Sequence, residues 1–303
     1  ESKMLFVGDV VATEINAEEM PSLEGIVYLP DFSLVLSRSE KLTYAREHLN
    51  EIFGHKYPKY FRKEHIKYHV DDPEELAMIN YTSGTTGFSK GVMLPYRALW
   101  GNLDYLMDTV KPKIGKNCNI LSTLPMAHMY GMAFEFIFEF LHGCHVYYLT
   151  RIPSPKIVLK AFSDIKPVII ISVPLIIEKI IKKNVLPKLQ TYSMKVLLKV
   201  PVISGKILDK VRDSLKEAFG GNFYEIIIGG AAFNSEVESL LKKIGFNYTV
   251  GYGATECAPI ITYEDWHRFR QGSCGKAAPR MEVKVNSADP QHIAGEILTR
   301  GMN

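Results

Sequence analysis

The sequence predicts an α/β fold built mainly from parallel sheets covered by helices. The warrant lies in the order of its apolar segments. From about residue 76 to residue 250, short apolar runs alternate with helical patterns. The runs are apolar throughout rather than at every second position, which suits strands buried on both faces of a parallel sheet. From about Gly272 the pattern changes to short alternating strands without helices, and this reads as the start of a small antiparallel β subdomain. We therefore expect a partial α/β core over 1–271 and the beginning of a β subdomain over 272–303.

Composition limits the function classes. At 303 residues the chain is long enough for one large domain or two ordinary ones. Hydrophobic content of 47% with 23% charged residues is that of a soluble globular protein. A net charge of +3 is too small to argue for nucleic acid or an anionic surface. Cys118, Cys144, Cys257 and Cys274 lie far apart without C-x-x-C spacing. That argues against a zinc site or a disulfide framework, and for reduced thiols in a cytoplasmic protein. The longest apolar stretch, 168–177, contains Ser172 and Pro174 and is too short to span a bilayer. No secretory leader is visible before Asp9. The first residue is not Met, and the chain stops just after a strand-like run, so a fragment cut at both ends is expected.

In order, 4–9 reads as a buried strand, with shorter ones at 25–29 and 32–36. Residues 38–73 are polar and basic, and His48, His55, His65 and His69 show no ligand spacing; the segment reads as a solvated surface excursion. A helix beginning on proline is expected at 95–110, then a strand at 119–124 and a turn at 125–131. Phe134, Ile137, Phe138 and Leu141 fall at helical spacing, with Glu135 and Glu139 off that face. Gly143 ends that helix and a strand follows at 146–149. Helices at 155–164, 175–183 and 206–219 alternate with strands at 167–172 and 224–228. Ser235 and Glu238 suggest a capping box for a helix burying Val237, Leu240, Leu241 and Ile244. A strand at 247–250 follows, and 282–285 and 295–299 are the late strands.

The chemistry gathers in a few loops. Residues 81–91 read Tyr81-Thr82-Ser83-Gly84-Thr85-Thr86-Gly87-Phe88-Ser89-Lys90-Gly91, between an apolar run at 76–79 and another at 92–94. Glycines let backbone N–H groups approach a phosphate, hydroxyls add donors, and a lysine adds a point charge. The spacing is not that of the common phosphate loop, and a polar surface turn is the other reading. Residues 124–131, with His128 and Gly131, follow a strand end, where ligands sit in open α/β sheets. His128 among methionine and tyrosine neighbours could wall an apolar substrate, or be a core histidine at a helix start. Gly229, Gly230, Ala231 and Ala232 after a buried strand let a flat ligand lie on the backbone, or allow tight helix–sheet packing. Residues 250–256 (Val250-Gly251-Tyr252-Gly253-Ala254-Thr255-Glu256) put a Thr-Glu pair in a glycine-rich turn, which alone reads as a helix cap.

Taken together, these stretches resemble the adenylate-forming superfamily of acyl-CoA synthetases, luciferases and adenylation domains. Residues 82–91 are similar to its T-S-G-T-T-G-x-x-K-G signature, with Ser89 where proline often stands. Residues 124–128 resemble its L-P-x-x-H motif, 229–232 its G-G-A-x segment, and 252–256 its Y-G-x-T-E motif. Residues 272–276 and 295–301 resemble its G-S-x-G-K and G-E-I-x-x-R-G segments. The chain looks most like the amino-terminal domain of a bacterial long-chain fatty acid–CoA ligase.

That resemblance implies a two-step reaction with ATP, Mg²⁺ and coenzyme A: a carboxylic acid becomes an acyl-adenylate, then a thioester. It implies that Thr82, Ser83, Gly84, Thr85, Thr86, Gly87 and Lys90 hold the β- and γ-phosphates. Gly229, Gly230, Ala231, Ala232, Tyr252 and Gly253 would contact the nucleotide, Tyr252 by stacking on adenine. Thr255 would donate to the α-phosphate and Glu256, with Thr85, would serve Mg²⁺. Lys90, Thr255 and Glu256 are the catalytic candidates, and His128 and Gly131 the acyl contacts. The family's ribose-binding Asp and its mobile carboxy-terminal domain, with the adenylation lysine, would lie beyond Asn303, so this chain alone should turn over little. The Phe- and Ile-rich segments 132–141 and 168–173 could line a fatty-acyl tunnel or serve as core. The alternatives are another acid (aryl or amino acid), acyl-carrier protein as acceptor, or a nucleotide-binding protein without catalysis. A fatty-acid substrate also makes peripheral membrane contact an expectation; nucleic acid is not an expected partner.

Overall fold

A computed structural model describes residues 2–83, 89–115 and 117–303. The chain divides into two units, Glu1–Val70 and Asp71–Asn303. In the first, β1 (Met4–Val7) runs parallel to β2 (Gly25–Tyr28), and β3 (Leu34–Ser37) lies antiparallel to β2. Val7, Leu23 and Ile26 form its small core. The expected excursion at 38–73 instead contains two helices, Glu40–Glu47 and Leu49–Lys56, in which no residue is buried. Ser39 caps the first by accepting from Leu42 N. Without an apolar face that packs, the periodicity that betrays a helix in sequence is missing.

In the second unit β4 (Leu76–Ser83) and β5 (Ser89–Pro95) form an antiparallel pair. The parallel strands follow. β6 (Asn119–Ser122) pairs with β7 (His145–Tyr148). β8 (Ile170–Ser172), β9 (Ile226–Ile228) and β10 (Tyr248–Val250) form a parallel sheet in the order β10-β9-β8. Val168 N donates to Asn119 O at 3.1 Å, bringing the approach to β8 alongside β6.

The continuous apolar strands serve two cores. Leu121, Ile170, Ile226 and Ile228 join Phe162, Ile177, Leu215, Phe219 and Val237 on one face. Ile120, Ile169, Ile171 and Ile227 join Tyr105, Leu106, Phe134 and Phe138 on the other. Successive side chains point to opposite faces, so β9, apolar at all three positions, fills both, while Ser122, Ser172 and Thr249 are buried polar residues on the neighbouring strands. Helices Pro155–Ile165, Pro174–Asn184, Pro201–Ala218 and Ser235–Lys243 supply the first core, and helix Tyr96–Thr109 contributes to the second.

The last of the sheet-covering helices is capped differently from the sequence expectation. Asn234, not Ser235, is the N-cap, and its side chain accepts from Val237 N at 3.1 Å. Glu238 is buried and accepts from Gly272 N at 2.9 Å rather than closing a capping box. Asn and Ser are equally good caps, so sequence alone places this start one residue late. Asn234→Ala should cost about 1 kcal/mol in urea unfolding, while Ser235→Ala should leave the midpoint unchanged.

Antiparallel strands complete the unit. β11 (Tyr252–Gly253), β12 (Ile260–Tyr263) and β13 (Lys276–Ala277) form one sheet, and β14 (Glu282–Asn286) pairs with β15 (Glu296–Arg300). The late strands match the expected pattern; β11 and β12 precede residue 272 and were not anticipated. Among the described residues no helix is long and apolar enough to cross a membrane.

Candidate functional site

A cavity of about 420 Å³ opens beyond the ends of β6, β8, β9 and β10. Leu124, Pro125 and His128 reach it from beyond β6, Val173 from β8, Gly229 and Gly230 from β9, and Gly251 from β10. This is where the topology of an α/β sheet places a ligand. Tyr252, Gly253 and Thr255 form the adjoining wall. A second cavity of about 440 Å³ adjoins the first, lined among others by Ala231, Ala232, Phe233, Ser273 and Cys274. The two share Gly230, Gly251, Tyr252 and Gly253.

Local packing explains two of the glycines. A Cβ on Gly131 would lie 2.7 Å from Pro125 O, so only glycine lets helix Met129–Met132 press against the preceding turn. A Cβ on Gly253 would collide with the carbonyl oxygen of Pro259. Both residues line the first cavity, so each has a structural duty beside any contact with a ligand.

The sequence candidates fall in three groups. His128, Gly131, Gly229, Gly230, Tyr252, Gly253 and Thr255 line the first cavity, and Ala231 and Ala232 the second. Thr82 and Lys90 face each other across the β4–β5 ladder, and Lys90 and Glu256 are exposed. Gly84, Thr85, Thr86 and Gly87 lie outside the described residues, as does the side chain of Ser83. Asn80 Nδ2 donates to Ala127 O at 2.8 Å, and Leu94 packs with Met129 and Ala258. The signature pair is thereby fastened to the turns that carry His128 and Glu256. Among the described residues no group of three or more His, Cys, Asp or Glu could hold a metal alone. Glu256, exposed next to the cavity-lining Thr255, is an oxygen donor of the kind that suits a hard cation.

Three further side chains shape the site and were not assigned to it from sequence. Asn102, buried in helix Tyr96–Thr109, donates to Cys257 O at 3.1 Å and accepts from Ile260 N at 3.0 Å. It fixes the turn Thr255–Cys257 from below. Its signal was present: one polar residue on the face bearing Ala98, Tyr105 and Leu106. Tyr130 donates to Ile227 O at 3.1 Å and lies against Gly229; burial pushes its phenol well above the ordinary range.

Glu135 is the third. It and Glu139 were expected off the apolar face, yet both are buried, whereas Leu141 is exposed. The reason is a π-helical turn at Ala133–Ile137. Its wider turn adds a residue and rotates the buried stripe, which a 3.6-residue period cannot anticipate.

A family model described as AMP-binding enzyme matches residues 1–303. The chain therefore belongs to the AMP-binding enzyme family. Long-chain-fatty-acid–CoA ligase 4 of Saccharomyces cerevisiae is 27% identical over 262 residues, which cover 79% of this chain and 37% of that protein. Long-chain-fatty-acid–CoA ligase 2 of Schizosaccharomyces pombe is 29% identical over 267 residues, covering 77% of this chain and 37% of that one. The chain thus spans little more than a third of the curated relatives it matches. Among solved structures, a long-chain-fatty-acid–CoA ligase from Archaeoglobus fulgidus superposes with a TM-score of 0.66 at 19% identity, over 100% of this chain and 54% of that one. O-succinylbenzoate coenzyme A synthetase from Bacillus subtilis, in complex with ATP and magnesium ion, gives 0.65 at 17% identity, over 100% and 51%. These establish the shared fold of the family's amino-terminal region.

Proposed function

We propose that the whole protein activates a carboxylic acid, first among them a long-chain fatty acid, and transfers it to coenzyme A. The observation that carries this reading is the cavity at the strand ends, where His128, Gly229, and Tyr252 with Thr255 converge from three separate segments. In the first step the acid's carboxylate oxygen attacks the α-phosphorus of ATP, and the bond to pyrophosphate breaks. In the second, the thiolate of coenzyme A attacks the acyl carbon and AMP leaves. The protein's part is to bring the reactants together and neutralise charge.

On this reading Gly229, Gly230, Ala231, Ala232 and Tyr252 receive the adenine. Thr255, Lys90 and the hydroxyls of 82–86 hold phosphate oxygens. Glu256, with Thr85, would hold Mg²⁺, which would supply positive charge to offset the phosphate charge that repels the incoming carboxylate. The acyl group lies against the Leu124–His128 turn, with Met129, Phe134 and Val173 supplying apolar wall. The fatty acid is favoured over an amino acid because, among the described residues, none that lines the first cavity is acidic, so no carboxylate there would hold an ammonium group. The reading carries with it a cytoplasmic location, peripheral contact with the membranes that hold such acids, and a β subdomain opening at 272.

The test is pyrophosphate release by the whole protein with ATP and Mg²⁺, across acids from acetate to palmitate plus aryl and amino acids. Release rising with chain length is the expected result. Release with aryl or amino acids alone would keep adenylation and remove the fatty acid; silence across the panel would leave a non-catalytic nucleotide binder. A run with coenzyme A and with acyl-carrier protein identifies the acceptor. The 303-residue chain by itself should release little.

A further inference from the structure

β6 ends at Ser122, and the next two amides leave the sheet without a ladder partner of their own. Glu135 supplies the acceptor. Thr123 N donates to it at 2.9 Å, Leu124 N at 2.8 Å, Ser122 Oγ at 3.1 Å and Thr123 Oγ1 at 3.3 Å. The carboxylate is fully buried. Among the described residues it has no lysine or arginine beside it. The titratable groups that face it are Tyr130 and Glu139 on its own helical segment and Tyr148 on β7.

A carboxylate in that place is costly. Removing one from water without a counter-ion takes several kcal/mol unless hydrogen bonds compensate. Burial pushes the Glu135 carboxyl up to about 7, and the hydrogen bonds from 122–124 work against that rise. A packed apolar side chain would fill the volume without the penalty. The group is spent on one short stretch, and that stretch leads into Leu124, Pro125 and His128, all on the cavity wall. Phe134, the residue before Glu135, lines the same cavity. The π-helical turn is what brings a side chain from this segment beneath that wall; such turns recur at functional sites.

We propose that Glu135 is a positioning residue for the acid subsite, tying the Thr123 and Leu124 amides so that the Leu124–His128 turn keeps its place against the acyl group. This rests on the function proposed above, but the tie itself does not. Glu135→Gln keeps size and shape but removes the charge and replaces one of the two accepting oxygens with an NH₂ that has only the hydroxyls of Ser122 and Thr123 to donate to. Glu135→Asp keeps the charge and shortens the reach.

Both variants are made in the whole protein and read twice. Hydrogen exchange should quicken at least tenfold at Thr123 and Leu124 in Glu135→Gln and a few-fold in Glu135→Asp, with the peptide over 224–228 unchanged. KM for the acid should rise about tenfold in Glu135→Gln and less in Glu135→Asp, with KM for ATP within twofold of wild type. Unchanged exchange at Thr123 and Leu124 would overturn the proposal, as would KM values for acid and ATP rising together. Should Glu135→Gln fail to fold, Glu135→Asp decides by the same two readings. If wild type releases no pyrophosphate with any acid, the function is wrong, and exchange alone decides whether Glu135 holds the turn.

Discussion

Lys113→Met is expected to lower the stability of the 71–303 unit by about 3–5 kcal/mol, the usual cost of breaking a buried ion pair from one side. Lys113 Nζ lies 2.7 Å from Asp265 Oδ2 and 3.5 Å from Glu225 Oε1, and donates to Tyr263 OH at 2.8 Å. Glu225 is fully buried, and the side chain of Asp265 is 12% exposed. Methionine fills the lysine's volume, so the loss is electrostatic rather than a cavity. Two carboxylates would then share the site with no cation between them.

The pH dependence has a definite sign. Burial raises Glu225 even with Lys113 beside it. A raised carboxyl contributes stability that is present below its unfolded value and lost as pH rises through the folded one. Without the lysine the rise is larger, so the variant's deficit should grow from pH 5 to pH 8. Burial also works to raise Asp265, but the hydrogen bonds from Lys113, Tyr224 and His267 outweigh it and hold the carboxyl well below its ordinary value. Its contribution is present above the usual carboxylate range and lost as pH falls below it. Urea unfolding of both proteins at pH 5 and pH 8 checks the prediction; a midpoint shift worth less than 1 kcal/mol at pH 8 would sink it.

Glu256→Gln in the whole protein should slow pyrophosphate release about 10²–10³-fold, the scale seen when one preorganised electrostatic contact is removed. Glu256 is exposed in the turn Thr255–Cys257, and Thr255 lines the cavity beside it. Glutamine keeps the shape of the turn, which Asn102 braces from the backbone side. The variant therefore removes a charge and little else. Its half-saturating Mg²⁺ concentration should rise while melting temperature holds. Release within threefold of wild type, at any Mg²⁺ concentration, would move the metal role to another residue.

How much of this was legible in the sequence depended on one property, whether a residue's neighbours in the chain are also its neighbours in space. The strands at 119, 170, 226 and 248 announce themselves because short runs made mostly of Ile, Leu, Val and Tyr have few other uses. The loops were legible for the same reason: their glycines and hydroxyls are consecutive, and their order carries the family resemblance. Asn102, Tyr130 and Glu135 were not, because what each one holds lies across the sheet or on another element. Asn102 binds residues 155 and 158 positions away. Glu135 was hidden twice, by that distance and by a helical turn that breaks the period. Helices 40–47 and 49–56 escaped notice because no face of either is buried, and β11 because two residues give no pattern.

The short strand Tyr252–Gly253 is a party wall. Both cavities use it, together with Gly230 and Gly251, and a Cβ-free Gly253 lets it lie hard against Pro259. Any factor by which an occupant of the first cavity changed the affinity of the second would be returned in equal measure, because such coupling is reciprocal.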